Sequence, residues 1–151
     1  MLLWRISNHA NLAGEGGLRA SGRWHSAGRK IVYLAQNPTT CLLEHLVHLE
    51  IGEEDIPATY RTLKIEVPDT LYAGAGLPSV LADGWQDDIE LTQKVGNDWL
   101  AAGPCLLRVP CVLVPETENV LLNPVHPDAQ SIKIVQTINF PFDRRFLSKR
   151  F

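Results

Sequence analysis

The sequence predicts one α+β domain, with mainly antiparallel sheets and a few helices. Three observations carry this. Strand and helix patterns follow one another as strand, strand–helix, strand, helix and then several strands, which is not the regular alternation of a parallel α/β fold. The 151 residues show no linker and no repeat, and that length is ordinary for one domain. Hydrophobic residues make up 45% and charged residues 21%, enough to bury a core without metal or disulfide staples.

The elements follow in order. Residues 2–6 alternate well enough to form a first strand. Residues 8–22 read as a loop, with Gly14, Gly16 and Gly17 marking turns. No G-x-G-x-x-G follows a strand here, so a Rossmann site has no support. Residues 30–35 form a strand rich in β-branched and aromatic side chains. Asn37 is placed to cap a helix and Pro38 suits its first position. That helix runs to about Leu49, with Leu42, Leu43, Leu46, Val47 and Leu49 on one face. At about 100° per residue, Glu44 falls roughly 60° beyond Val47, beside the apolar arc, where a carboxylate can line a cleft.

Gly52 and the acidic run Glu53-Glu54-Asp55 end this unit. Residues 60–67 form a strand closed by Pro68, and residues 68–78 are rich in turns. Residues 85–101 contain a helix that starts near Asp87 or Asp88. Residues 105–114 form a strand bent or bulged at Pro110. Residues 119–122 form a short strand, Asn123-Pro124 turns out of it, and residues 131–138 alternate with period two. A basic tail from Arg144 to Arg150 closes the chain.

Composition narrows the function classes. A formal net charge of -3 argues against a nucleic-acid binder of the usual basic kind, and so against an RNase toxin. Cys41, Cys105 and Cys111 are too few and too scattered for a disulfide framework or a four-thiolate zinc site. The start, Met1-Leu2-Leu3-Trp4-Arg5, meets a charge at once and lacks a signal-peptide core. No apolar run approaches membrane-spanning length. The expectation is a cytoplasmic protein with no membrane contact.

One stretch concentrates chemistry. Arg23 lies in a loop flanked by Gly22 and Gly28, where backbone can come close to a ligand and a guanidinium can hold a phosphate. Trp24 places an indole beside it, for stacking or for anchoring the loop. Tyr33 lies in the strand that follows, and Glu44 in the helix after that. A lone carboxylate suits one substrate in particular. The nicotinamide of NAD is already cationic and leaves neutral, so no general acid is needed; only the oxocarbenium-like sugar needs help. Ordinary glycosidases need two carboxylates because their leaving group must be protonated.

Two other constellations compete. Cys41, His45 and His48 share a helical stripe, as a metal site would require, but no fourth ligand is suggested by spacing. A polar helix face accounts for them better, so no metal is expected. Cys111 with His126 has the makings of a thiol and its base, against a small buried strand residue as the simpler account of Cys111.

The ordered motifs are Trp4-Arg5, Gly22-Arg23-Trp24 with Gly28, Val32-Tyr33-Leu34-Ala35 and the helical segment from Leu42 through Glu44 to His48. Gly96-Asn97-Asp98-Trp99-Leu100, Leu107-Arg108-Val109-Pro110, the run from Asn119 to Pro127 and Phe142-Asp143-Arg144 follow. Together they cover nearly the whole chain, and it resembles the RES-domain toxins of bacterial toxin–antitoxin pairs. The resemblance implies one RES domain over residues 1–151, with a fold related to ADP-ribosyltransferase toxins. It implies NAD as substrate, broken at the nicotinamide–ribose bond, with water, phosphate or a protein as acceptor. It implies an Xre-like antitoxin as partner, DNA being reached only through that antitoxin; a homodimer is left open. By analogy Arg23 binds the phosphates, Tyr33 packs on the nicotinamide or its ribose, and Glu44 stabilises the transition state.

Three positions depart from the family pattern. Cys111 stands where serine is common, His25 where asparagine is common, and Ser21-Gly22 where a second glycine is usual. Cysteine is the weaker hydrogen-bond donor, so a substrate or glutamate contact made by serine would be weakened; Ser26 is the candidate to lend a hydroxyl instead. Arg23, Trp24, Ser26, Tyr33 and Cys111 are thus the expected NAD contacts. A catalytically decayed interaction protein is the alternative that Cys111 raises.

Overall fold

Strands β1 (Leu2–Ser7) and β2 (Val32–Ala35) form the middle of the sheet. The computed structural model describes residues 1–48, 58–78, 81–139, 142, 143 and 145. Around the central pair lie β3 (Arg61–Glu66), β4 (Leu106–Pro110), β5 (Glu118–Leu122) and β6 (Lys133–Asn139), in the spatial order β4-β5-β2-β1-β3-β6. Every adjacent pair is antiparallel. Among the described residues four α-helices connect them: α1 (Gly16–Arg19), α2 (Pro38–His48), α3 (Asp69–Ala73) and α4 (Ile89–Ala102). The expected α+β architecture with mainly antiparallel pairing is what the chain adopts.

Side chains alternate across a strand, so register decides which residues share a face. One face carries Leu3, Val32, Leu34, Leu63, Ile65, Leu106, Val120 and Leu122, against which Leu71 and Tyr72 of α3 pack. The opposite face carries two separate clusters. Trp24, Ile31, Leu107, Val109 and Leu121 pack with Trp99 of α4; Ile6 and Ala35 pack with Cys41 of α2 and with Phe142. Of the largest fully buried aliphatics among the described residues, Leu3, Val32, Leu63, Ile65, Leu106, Val120 and Leu122 lie on the first face, and Val109 and Leu121 on the second. Each contributes about 1.5–3 kcal/mol by burial, so the weight of the core lies on the first face. On the second face the two clusters adjoin along β2, Tyr33 packing with one and Ala35, the next residue on that face, with the other.

The caps behave as expected. Asn37 accepts the Thr40 amide at 2.8 Å and Asp88 accepts the Leu91 amide at 2.9 Å, each closing a free helix end. Other expectations need correction. The segment 8–22 is not all loop: α1 forms there, and it packs so tightly that a Cβ on Gly17 would lie 2.2 Å from the Arg29 carbonyl. The strand expected over 30–35 is shorter, because Lys30 and Ile31 precede the ladder. The turn-rich stretch 68–78 contains α3. The strand expected over 105–114 stops at Pro110, and a hairpin turn follows it. Strand β6 alternates in sequence yet is largely exposed, since it forms a sheet edge.

The helix face also differs. Leu43 and Val47 are 40% and 61% exposed, while Thr40 and Cys41 are buried. The inward stripe therefore starts from small and polar residues, and Glu44 follows Cys41 on it by three positions. Leu49, the segment Gly52 to Asp55 and, apart from Arg145, the basic tail lie outside the described residues. No described helix is long and apolar enough to cross a membrane.

Candidate active site

Glu44 enters the gap between the two clusters from α2. The strand register brings its partners. Ala35 pairs with Asn119, and Val109 also pairs with Asn119, so Asn119 shares a face with Ala35, Tyr33 and Val109. The Cys111 amide donates to the Thr117 carbonyl at 2.9 Å across the hairpin, which keeps Cys111 in the same parity as Val109. Both side chains then reach one atom. Asn119 Nδ2 donates to Glu44 Oε1 at 2.7 Å, and the Cys111 thiol donates to the same oxygen at 3.1 Å. Cys111 Sγ in turn accepts the Val114 amide at 3.4 Å. Glu44 Oε2 has no hydrogen-bond partner among the described residues, so the carboxylate is clamped by one oxygen and offers the other.

Tyr33 lies two positions before Ala35 on the same face. Its hydroxyl oxygen accepts the Trp24 amide at 3.1 Å and sits 2.8 Å from His25 Nδ1. Burial pushes the phenol up to about 12, against smaller opposing effects from the Trp24 amide and the Arg23 charge. It stays protonated at any physiological pH.

The Arg23 loop is held mainly from α4 and the short helical turn Trp85–Asp87 before it. Arg23 Nη1 donates to the Gln86 carbonyl at 2.7 Å. Gln93 Nε2 donates to the Gly22 carbonyl at 2.9 Å. Asn97 clasps Ser26 twice, accepting its amide at 3.1 Å and donating to its hydroxyl at 2.9 Å. Gly96 lies directly under the loop: a Cβ there would be 1.8 Å from the Trp24 carbonyl, so only glycine permits this approach. Among the described residues no carboxylate pairs with Arg23, whose remaining N–H groups are free for an anion.

The structure thus brings together Glu44 and Cys111 directly, and Arg23 and Tyr33 through the loop. It places Trp24 elsewhere: the indole is 3% exposed, inside the cluster with Trp99, and 5.9 Å from the Trp85 ring. Its surface serves as a loop anchor, which leaves no open ring face for a base. Ser26 is committed to Asn97, while the thiol of Cys111 itself reaches the glutamate. The Cys111–His126 pairing does not form, since His126 Nδ1 accepts the Asp128 amide at 3.2 Å. Cys41 is packed against Ile6 and Ala35, and the His45 ring stacks on Phe142 and meets Tyr60 edge-on. Among the described residues no group of three His, Cys, Asp or Glu side chains is placed to hold a metal.

Asn119, Gln86, Gln93 and Asn97 were not legible as site residues. For Asn119 a signal existed: it is an amide at the start of an otherwise apolar strand, in phase with the buried Leu121. A separate cavity of about 330 Å³, lined by Leu77, Leu91, Val95, Trp99 and Leu107 among others, lies against α4 and contains none of the candidate residues.

Comparison with known proteins places the chain. A family model described as the RES domain matches residues 2–143. A protein of Pseudomonas putida named Toxin Res is 53% identical over 146 residues, covering 96% of this chain and 99% of that one. A Sphingobium protein named Prs ADP-ribosylating toxin is 37% identical over 159 residues, covering 97% and 96% respectively. A solved structure, the MbcT-MbcA toxin-antitoxin complex of M. tuberculosis, is similar in fold with a TM-score of 0.63 at 18% identity, over 92% of this chain and 83% of that one. The chain belongs to the RES-domain family.

Proposed function

We propose that this protein is the toxin of a toxin–antitoxin pair and that it consumes NAD by cleaving the nicotinamide–ribose bond. The observation that carries the reading is the one-sided clamp on Glu44. Two donors fix Oε1, and the free Oε2 is left on the sheet face shared with Tyr33. A preorganised carboxylate of this kind stabilises the positive charge that develops on the ribose as the C1′–N bond breaks. The bonding electrons go to the pyridinium, which departs as neutral nicotinamide. Water adds at that carbon and releases one proton, giving ADP-ribose; phosphate as acceptor gives ADP-ribose phosphorylated at the same carbon instead. Arg23 holds the pyrophosphate, and the Tyr33 ring packs on the nicotinamide or its ribose. Cys111 acts through Glu44. The thiol occupies the hydrogen bond that a serine would make, which supports a working site over a decayed one.

The relatives' names support the toxin reading and an antitoxin partner, for which an Xre-like protein acting in the cytoplasm is the proposal. They also favour a second chemistry. A relative named as an ADP-ribosylating toxin supports transfer of ADP-ribose to a protein from the same site. Product analysis separates these readings. Nicotinamide release from NAD by the purified protein, faster with phosphate, supports cleavage with a small acceptor. A labelled protein band from labelled NAD and cell lysate supports transfer. A well-folded protein with neither activity, harmless on expression without a partner, would sink both.

A further inference from the structure

We infer that His25 is a positioning residue for NAD binding: its neutral Nδ1 accepts a hydrogen bond from the Tyr33 hydroxyl and so ties the Arg23 loop to the sheet in a form that imidazole protonation undoes. The inference rests on the NAD reading for its functional consequence, but its structural part stands on hydrogen-bond logic alone.

His25 is 4% exposed and both ring nitrogens are engaged. Nε2 lies 2.9 Å from the Ala20 carbonyl, which can only accept. Nε2 therefore carries the proton, and in the neutral ring Nδ1 is an acceptor. The atom facing Nδ1 at 2.8 Å is the Tyr33 hydroxyl. The proton between them is then the phenol's, donated to Nδ1, while the phenolic oxygen accepts the Trp24 amide. Tyr33 has no proton left to give a substrate. It contributes its ring and a fixed loop, not acid catalysis.

The surroundings enforce this arrangement. A Cβ on Gly22 would lie 2.6 Å from the Tyr33 hydroxyl and 2.9 Å from His25 Cε1 and Nδ1, so the loop closes over the pair only through glycine. The Gly22 amide donates to the His25 carbonyl at 3.0 Å, and Arg23 follows directly. Protonating His25 turns Nδ1 into a donor. Two N–H groups then point at one phenolic oxygen, and the phenolic proton must seek another acceptor in a buried place.

The groups facing His25 make the charged form unfavourable. Helix α1 presents the carbonyls of Gly17 and Ala20, β2 presents Tyr33, and the loop adds the charge of Arg29; none of these is a carboxylate. Burial first, and Arg29 among the smaller effects, holds the imidazole below its ordinary range, against the pull of the two carbonyls. The native loop thus contains neutral His25, and falling pH loosens it. The expected readout is a rise in KM for NAD with a smaller change in kcat.

Two measurements test this. Long-range ¹H–¹⁵N correlation on the labelled wild-type protein should show the Nε2–H tautomer at neutral pH, converting to the imidazolium on acidification; an Nδ1–H tautomer would overturn the inference. The second is KM for NAD between pH 8 and 5. His25→Asn retains an oxygen that can accept the Tyr33 proton and has no titration of its own. Once the spectrum shows the imidazolium, wild type should have lost about tenfold in 1/KM, equivalent to one hydrogen bond, and His25→Asn should stay flat over the same pH range. His25→Phe, lacking an acceptor, should show the weakened binding already at pH 8. Parallel acid limbs in wild type and His25→Asn would assign the effect elsewhere and end the inference. Absence of any nicotinamide release by the wild type would sink the NAD reading instead, and the tautomer, read without substrate, would still decide this one.

Discussion

The proposed site's two charged groups are held in opposite ways. Glu44 sits on a regular helix and is met by Cys111 and Asn119, two side chains that strand parity delivers to a single oxygen. Arg23 sits on a loop whose shape is imposed from a helix 71 residues away, by the Asn97–Ser26 clasp, the Gln93 bond and the glycine contact. The first arrangement restrains one atom in direction. The second sets the outline of a binding surface. A reacting carboxylate needs the former, since its worth depends on where one oxygen points as charge develops. An anion site needs only N–H groups in the right area. Changes around Glu44 should therefore act on kcat, and changes around the loop on KM.

The sharpest test of that division is Glu44→Gln. It keeps the side-chain shape and an atom for the clamp but removes the charge. Nicotinamide release should fall by about 10³-fold with the melting temperature preserved, the scale of losing a preorganised electrostatic partner. An undiminished rate would remove Glu44 from the mechanism. On the other side, Gly96→Ala forces a Cβ against the Trp24 carbonyl, a backbone atom that cannot swing away. We expect a loss of about 3 kcal/mol, roughly 10 °C in melting temperature for a chain of this size, with a raised KM. A normal melting temperature and KM would mean that α4 does not support the loop.

The clamp itself is the next largest effect. Asn119→Ala deletes a hydrogen bond to a charged group, worth about 1.5–3 kcal/mol, and should lower kcat by roughly 10–100-fold with KM nearly unchanged. Cys111→Ser should change kcat by only a few-fold, upward, because a hydroxyl donates to a carboxylate more strongly than a thiol. If both variants moved KM and left kcat alone, the contrast between the two regions would collapse.

Much of this division could be read from the chain before folding. Arg23, Tyr33 and Glu44 stand close in sequence, and their chemistry suggests one substrate. Asn37 and Asp88 advertise helix starts through local hydrogen bonding. The supports could not be read so easily. Asn119 is 75 residues from Glu44, and their contact exists only once β5 pairs with β2 in one register. Cys111 departs from the family's usual serine, but its contact with Glu44 depends on the hairpin that follows Pro110. Helix α2 was legible only in part: Leu42 and Leu46 pack inward as their spacing expects, but Thr40, Cys41 and His45 share that side while Leu43 and Val47 stay out.

That inward stripe supplies the mildest test, because the His45 side chain packs on Phe142 and Tyr60 and is not one of the donors that hold Glu44. Its ring is stacked on Phe142 at 5.5 Å and edge-on to Tyr60 at 4.7 Å, and its buried Nε2 has no hydrogen-bond partner among the described residues. Burial, with a smaller push from His48, holds its pKa down to about 4. The sign follows from proton counting. Between pH 6.5 and about 4 the unfolded chain binds a proton at this position that the folded chain does not, so stability falls as pH drops through that window. His45→Phe removes the titration and keeps an aromatic ring. Urea unfolding at pH 7.5 and 5 should show a smaller acid loss in the variant than in wild type. His25, also held neutral by burial, contributes in the same direction and remains in both proteins, so the two curves converge without the variant becoming flat. An identical acid loss in the two proteins would mean that the α2 face does not depend on a neutral His45. If kcat also fell in His45→Phe, the separation between helix packing and the Glu44 clamp would itself be wrong.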